Sequence, residues 1–369
     1  MPLSSDVKKM SALQSYFNDF LSNIRLPDSL REELKKAHTE LREHLKSDDI
    51  TKDLLVDSFL QGSYARATCI KPEKGHKADV DVIVVTNIDH EKTSATEAFK
   101  LIMPFAQKYY NDVTQQKRSI GITLEQVDVD LVITAAPSEE VKNEIISAQL
   151  SEAFTIDDIS AHSFNMNSLQ RFFDTDAREK SWQAEPLLIP DTEDNNWHKT
   201  HPLEQIRWTR DKNRHTSGHY VNVVKALKWW KRVNMPGVKH PKSYPLEHFI
   251  GDCCPNNITS IAEGITKTLD YIVLHYPNKP FLPDRGVPEH DVFETLTEAE
   301  YHAFYNAVKN AAPLARKAYE STDVEESVLL WRTFFCDSEE FPRYTGDQSK
   351  NGFTPRIQKS ETIPTGRFG

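Results

Sequence analysis

The chain has 369 residues, 38% of them hydrophobic and 27% charged, with a formal net charge of −10. That is enough chain for two lobes with ordinary cores. The charge is too acidic for a molecule that grips long nucleic acid through its phosphates. Residues 7–24 and 29–47 read as helices, the second opening near Asp28 and Ser29, both good cap types, with Leu30, Leu34, Ala37, Leu41 and Leu45 in a helical stripe. Residues 53–60 run into the small-residue turn Gln61-Gly62-Ser63-Tyr64. Residues 78–86 form a strand, 93–111 a helix with Pro104 as a candidate break, and 119–135 alternate as one or two strands, which gives a mixed α/β layer. Residues 136–206, with Pro186, Pro190, Pro202 and the acidic stretch 191–196, read as an irregular passage toward a second lobe. Helical patterns follow at 216–234, 244–254, 257–275, 297–320 and 323–335. From Phe341 to Gly369, Gly, Pro, Ser and Thr without periodicity predict a mobile tail.

Other classes are set aside by what the sequence lacks. No apolar run approaches the roughly 20 residues of a membrane helix, and Met1-Pro2-Leu3-Ser4-Ser5-Asp6 has neither the basic nor the apolar region of a secretory signal. Cys69, Cys253, Cys254 and Cys336 form no CxxC pair. They predict buried, reduced thiols in a cytoplasmic protein, with no zinc site.

The chemistry concentrates in two strands. Asp79 and Asp81 are spaced i, i+2 in Ala78-Asp79-Val80-Asp81-Val82-Ile83-Val84-Val85, so they share a face while Val80, Val82 and Val84 point the other way. Paired carboxylates repel unless a cation lies between them, and a hard divalent ion such as Mg²⁺ prefers oxygen ligands. A second acidic strand, Val127-Asp128-Val129-Asp130-Leu131-Val132, offers a third ligand in Asp128 or Asp130. Gly62 and Ser63 form a turn whose backbone can approach a phosphate closely. Arg66 is either a phosphate contact or a surface arginine.

Gln61-Gly62-Ser63, Asp79-Val80-Asp81 and the acidic strand at 128–130 together resemble the polymerase-β-like nucleotidyltransferase superfamily. Val224-Lys225-Ala226-Leu227-Lys228-Trp229-Trp230 and Lys242-Ser243-Tyr244-Pro245-Leu246-Glu247 carry the resemblance further. They are similar to segments of the cGAS/DncV-like nucleotidyltransferases, the CD-NTases of bacterial CBASS anti-phage defence. The resemblance spans about residues 55–255 and departs from the local pattern in an insertion between Ser63 and Asp79. It implies an α+β, bilobed fold: a mixed-sheet catalytic lobe with N-terminal helices (1–205), a helical lobe completing the nucleotide pocket (206–340) and a flexible tail (341–369).

The same resemblance implies an enzyme that makes a cyclic di- or trinucleotide from ATP, GTP or both, with release of pyrophosphate and a cyclic-nucleotide-activated effector downstream. Asp79, Asp81 and Asp130 would hold two Mg²⁺ ions, with Mn²⁺ possible. Asp130, followed by Leu131-Val132, fits the family strand better than Asp128. Lys228 and Ser243 would join Gly62 and Ser63 around the triphosphate, with Tyr244 available to stack on a base; Trp229 and Trp230 read as core. The terminal Gly369 would suit covalent conjugation by a ubiquitin-transfer-like partner, and no long nucleic acid or membrane is expected. The competing activities are a template-independent RNA-terminal transferase, a small-substrate nucleotidyltransferase and a nucleotide-binding sensor without activity.

Overall fold

The computed structural model describes residues 5–136, 138 and 186–346. Two helices, α1 (Ser5–Ile24) and α2 (Asp28–Ser47), open the chain. Strand β1 (Leu55–Gln61) runs straight into the one-turn helix α3 (Gly62–Ala65), and β2 (Ala78–Thr86) follows. Helix α4 (Ala95–Tyr109) starts on a Ser94–Glu97 capping box and passes Pro104 unbroken. The ring removes one backbone donor from that helix without ending it. The alternating run at 119–135 is two strands, β4 (Ile120–Thr123) and β5 (Val127–Ala135), with a short β3 (Val113–Gln115) ahead of them.

The stretch expected to be irregular contains a hairpin, β6 (Leu187–Asp191) and β7 (Asn196–Thr200). Its acidic residues make the turn. The Asp191 and Asp194 carboxylates each accept from a backbone N–H two residues on, at 3.0 Å, and Asn195 takes φ +57°. Asx-type bonds and a left-handed Asn are how short polar residues close a turn. The seven strands form one sheet in the order β1-β2-β5-β4-β3, with β6 paired to β5 and β7 to β6. Among the described strands, only the β2–β5 pair is parallel. Helix α2 lies against β1, β2 and β5; α4 lies against β3, β4 and β6.

The remaining described helices are α5 (Pro202–His215), α6 (Tyr220–Asn234), α7 (Ser243–Cys253), α8 (Ile261–His275), α9 (Glu298–Glu320) and α10 (Val324–Phe334). Helix α5 occupies the end of the stretch expected to be irregular and the residues before the helical pattern at 216. Pro202 stands at the first helical turn, where a missing N–H costs nothing, so it starts a helix there. Trp229 and Trp230 are buried in the core. Cys253 and Cys254 are buried as expected, but Cys336 is exposed in the turn after α10, and all four thiols are free.

Two packing relations cross the expected divisions. Helix α1, assigned from sequence to the catalytic lobe, contacts α6, α8 and α10. Phe17 meets Trp331 edge-on at 5.1 Å, and Phe20 meets Phe335 at 4.4 Å. Phe341, expected to begin the tail, is fully buried against Phe17 and Phe335, at 5.3 and 5.4 Å. Burying rings of this size is worth several kcal/mol in total, of order 2–3 each, which explains why α1 and Phe341 pack together at the end of α10. Gly369 lies outside the described residues. Among the described residues no helix is long and apolar enough to cross a membrane.

Candidate active site

The site begins where β1 meets α3. Gly62 has φ +78°, and a Cβ placed on it would lie 1.8 Å from Asp81 Oδ2. Both features require glycine. The Ser63 carbonyl accepts from the N–H groups of Thr68 and Cys69, at 2.9 and 3.2 Å, which ties the loop after α3 back onto the turn.

The parallel register sets Asp79 beside Asp128 and Asp81 beside Asp130. Val80, Val82 and Val84 are buried, as the alternation predicts. Four carboxylates thus crowd two adjacent strands. Burial pushes the Asp81 carboxyl up to about 7, with Asp79 and Asp130 adding repulsion against the opposing pull of Arg66. Asp79 is also raised, by burial first, although Lys228 works against the shift. Asp130 is raised by burial and by Asp79, while it accepts from Gln116 Nε2 at 3.0 Å and Ser119 Oγ at 3.5 Å. Asp128 instead turns toward Lys77, 3.9 Å away. A set of mutually repelling, proton-retaining acids is what a divalent cation would discharge.

A cleft of about 970 Å³ is lined by Gly62, Ser63, Asp79, Asp81, Lys228, Ser243 and Tyr244. The structure therefore brings seven of the eight residues expected from sequence to one surface. Asp130 is not in that lining and reaches the group through its neighbour Asp81 on β2.

Lys228 and Ser243 are not free groups waiting for an anion. Lys228 Nζ lies 2.9 Å from Glu247 Oε1 and donates to the Thr68 carbonyl at 3.1 Å; Ser243 Oγ is 3.3 Å from the same Glu247 oxygen. Arg66, which the sequence left between a phosphate contact and a surface residue, is buried and paired with Glu247 Oε2 at 3.1 Å. Burial would raise the Glu247 carboxyl, but Lys228 and Arg66 outweigh it and hold the group down at about 2. In the sequence Glu247 is visible only as the last member of a spaced motif. Its i, i+4 relation to Ser243 on one helix face was the available signal.

Tyr244 is likewise engaged. Its hydroxyl donates to Asp284 Oδ2 at 2.6 Å, and the Arg66 guanidinium stands 5.1 Å from its ring centre. Asp284 also accepts from Gln205 Nε2 at 3.3 Å. No local pattern marks Asp284; it comes from a loop 40 residues downstream of Tyr244.

A second acidic group, Asp191, Asp194 and His198, brings its potential ligand atoms within 4.8 Å of one another at the β6–β7 turn. Asp191 is already neutralised by Arg118 at 2.8 Å and Lys117 at 3.4 Å, so it is a poorer cation site than the strand carboxylates.

Comparison with known proteins places this geometry. Residues 10–140 match the Second Messenger Oligonucleotide or Dinucleotide Synthetase domain. A cyclic AMP-AMP-GMP synthase from Enterobacter hormaechei subsp. hoffmannii is 40% identical, over 96% of this chain and 99% of its own. A probable cyclic AMP-AMP-GMP nucleotide synthase from Salmonella paratyphi B is 41% identical over the same shares. Among solved structures, E. coli MS115-1 CdnC with ATP superposes with a TM-score of 0.61 at 16% identity, covering 89% of this chain and 98% of the other. Vibrio cholerae DncV with a linear intermediate gives 0.56 at 14%, covering 93% and 83%.

Proposed function

The chain belongs to the CD-NTases, the cGAS/DncV-like nucleotidyltransferases that synthesise cyclic oligonucleotides, and we propose that its product is cyclic AMP-AMP-GMP, built from ATP and GTP. The observation that carries the chemistry is the parallel β2–β5 register. It sets Asp79 and Asp81 against Asp128 and Asp130 beneath the Gly62 turn. The choice of product rests on the two full-length relatives at 40% and 41% identity.

Asp79, Asp81 and Asp130 are the residues that would hold Mg²⁺; their raised carboxyls and close approach to one another fit a divalent cation. Bound there, the metal would supply activation of the attacking ribose hydroxyl and neutralisation of charge on the phosphates. The chain's own groups do the positioning. Ser63 and the backbone of the turn face the β- and γ-phosphates, with Lys228 and Ser243 opposite, and much of the rate comes from holding the α-phosphate in line with the hydroxyl. Each bond formed expels one pyrophosphate, so a ring of three nucleotides releases three. The lobe boundaries near 205 and 340 belong to the same reading.

Incubation with all four NTPs and Mg²⁺, followed by mass and nuclease analysis of phosphatase-resistant products, tests the assignment. A cyclic trinucleotide with two adenines and one guanine is expected. Extended RNA, a mononucleotide-modified acceptor or no pyrophosphate would overturn it. The third ligand is separable too. Asp130→Asn is expected to lower the rate at least 100-fold, and Asp128→Asn less than 10-fold, because Asp128 faces Lys77. Equal losses measured by pyrophosphate release would remove the distinction.

A further inference from the structure

Glu247 is 3% exposed and lies behind the cleft wall, where it is not one of the lining residues. Four side-chain donors converge on its carboxylate from two separate parts of the fold. Arg66 Nε at 3.1 Å and Thr68 Oγ1 at 2.7 Å come from the loop that follows the Gly62 turn. Lys228 Nζ at 2.9 Å comes from α6 and Ser243 Oγ at 3.3 Å from the start of α7. Of these donors Arg66, Lys228 and Ser243 also line the cleft. Glu247 is itself fixed, since its backbone carbonyl accepts from the buried Tyr220 hydroxyl at 3.1 Å. Two like-charged cations would not share a buried wall without a counter-charge between them.

We propose that Glu247 is a positioning residue that ties the Gly62–Ala65 turn to α6 and α7, so that the substrate's triphosphate meets Arg66, Lys228 and Ser243 already in place. The inference rests on the reading of this cleft as a nucleoside-triphosphate site. Its consequence has a definite sign. If Glu247 were only a nearby negative charge, removing it would tighten binding of a polyanion. As a positioning group, its removal frees the turn and the lysine to move apart, and binding weakens.

The test is titration of wild type and Glu247→Gln with a non-hydrolysable α,β-methylene ATP analogue, and with AMP as a control lacking the β- and γ-phosphates. Steady-state kinetics with ATP and GTP run alongside. The expected result is at least a 10-fold loss of analogue affinity and a matching rise in KM, with AMP affinity within twofold of wild type and a smaller change in kcat. Unchanged or tighter analogue binding by folded Glu247→Gln would overturn the proposal. Should that variant fail to fold, Glu247→Gln combined with Lys228→Met removes one of the stranded cations. Compared with Lys228→Met alone, the double variant still releases Arg66 and Ser243 and is expected to lose at least a further 3-fold in analogue affinity. No further loss, or tighter binding, would sink the idea. A wild type that binds the analogue but yields no cyclic product would defeat the functional reading while leaving this one standing.

Discussion

Asp81→Asn is expected to abolish product formation, by at least a thousandfold, while making the metal-free protein more stable. Both halves follow from the same crowding. The amide keeps the shape of the side chain but cannot carry the charge that a divalent ion needs, and loss of a metal-binding carboxylate removes stabilisation made chiefly in the transition state. The stability half follows from linkage. The Asp81 carboxyl is held at about 7 in the fold against an ordinary value of 3.8. The folded protein therefore keeps a proton that the unfolded chain releases. Its stability falls as pH rises from about 4 to about 7, and the full penalty, on the order of 4 kcal/mol, applies above that. Asparagine has no proton to lose, so the variant escapes the penalty. Thermal melts in EDTA should show the wild type losing stability between about pH 4 and 7 and Asp81→Asn losing less. Mg²⁺ should raise the wild-type midpoint and leave the variant's almost unmoved. A variant that melts below the wild type at pH 8 without metal would contradict the repulsion on which the site is built.

What the sequence disclosed, and what it hid, follows the range of the interactions involved. Asp79, Asp81 and the valines between them were legible because strand alternation is a two-residue rule, and the structure keeps that alternation. Helices α9 and α10 were legible because each buries a periodic face, and α6, α7 and α8 because each carries a long, largely buried stretch. The β6–β7 hairpin was not. Asn196-Trp197-His198-Lys199-Thr200 has little apolar content, and β6 is attached to the rest of the sheet through a single registered pair, Ala135 with Leu188. Its existence depends on where β5 ends, which no local pattern announces. The same holds for α1, whose apolar face could have closed on the sheet as easily as on α10. At the site, Lys228 and Ser243 were singled out by the family resemblance, which gave no sign that Glu247 holds both together with Arg66. That arrangement joins residues 181 apart in the chain.

Gly62→Ala is expected to cost about 2 kcal/mol of stability and at least 100-fold in activity, far more than one methyl group usually does. Two separate penalties meet at this position. A left-handed φ of +78° disfavours any residue with a Cβ by roughly 1–2 kcal/mol. The new methyl would also fall 1.8 Å from Asp81 Oδ2 and 2.9 Å from its Cγ. Asp81 shares its strand face with Asp79 and pairs with Asp130 on β5, so whether its carboxylate swings away or the turn lifts, the carboxylate arrangement is disturbed. A displacement of that order at a positioning element is worth about 100-fold in rate. The two penalties can be pulled apart in an Asp81→Ala background, where the offending oxygen and Cγ are gone and the nearest remaining atom is the Asp81 Cβ position at 3.5 Å, ordinary contact. There Gly62→Ala should cost only the backbone share, about half of its cost in the wild type, measured by urea denaturation of all four proteins in EDTA. An undiminished cost in that background would mean the glycine serves the turn's backbone alone. The tight seating of the Gly62 turn on the Asp81 carboxylate would then be incidental to its stability.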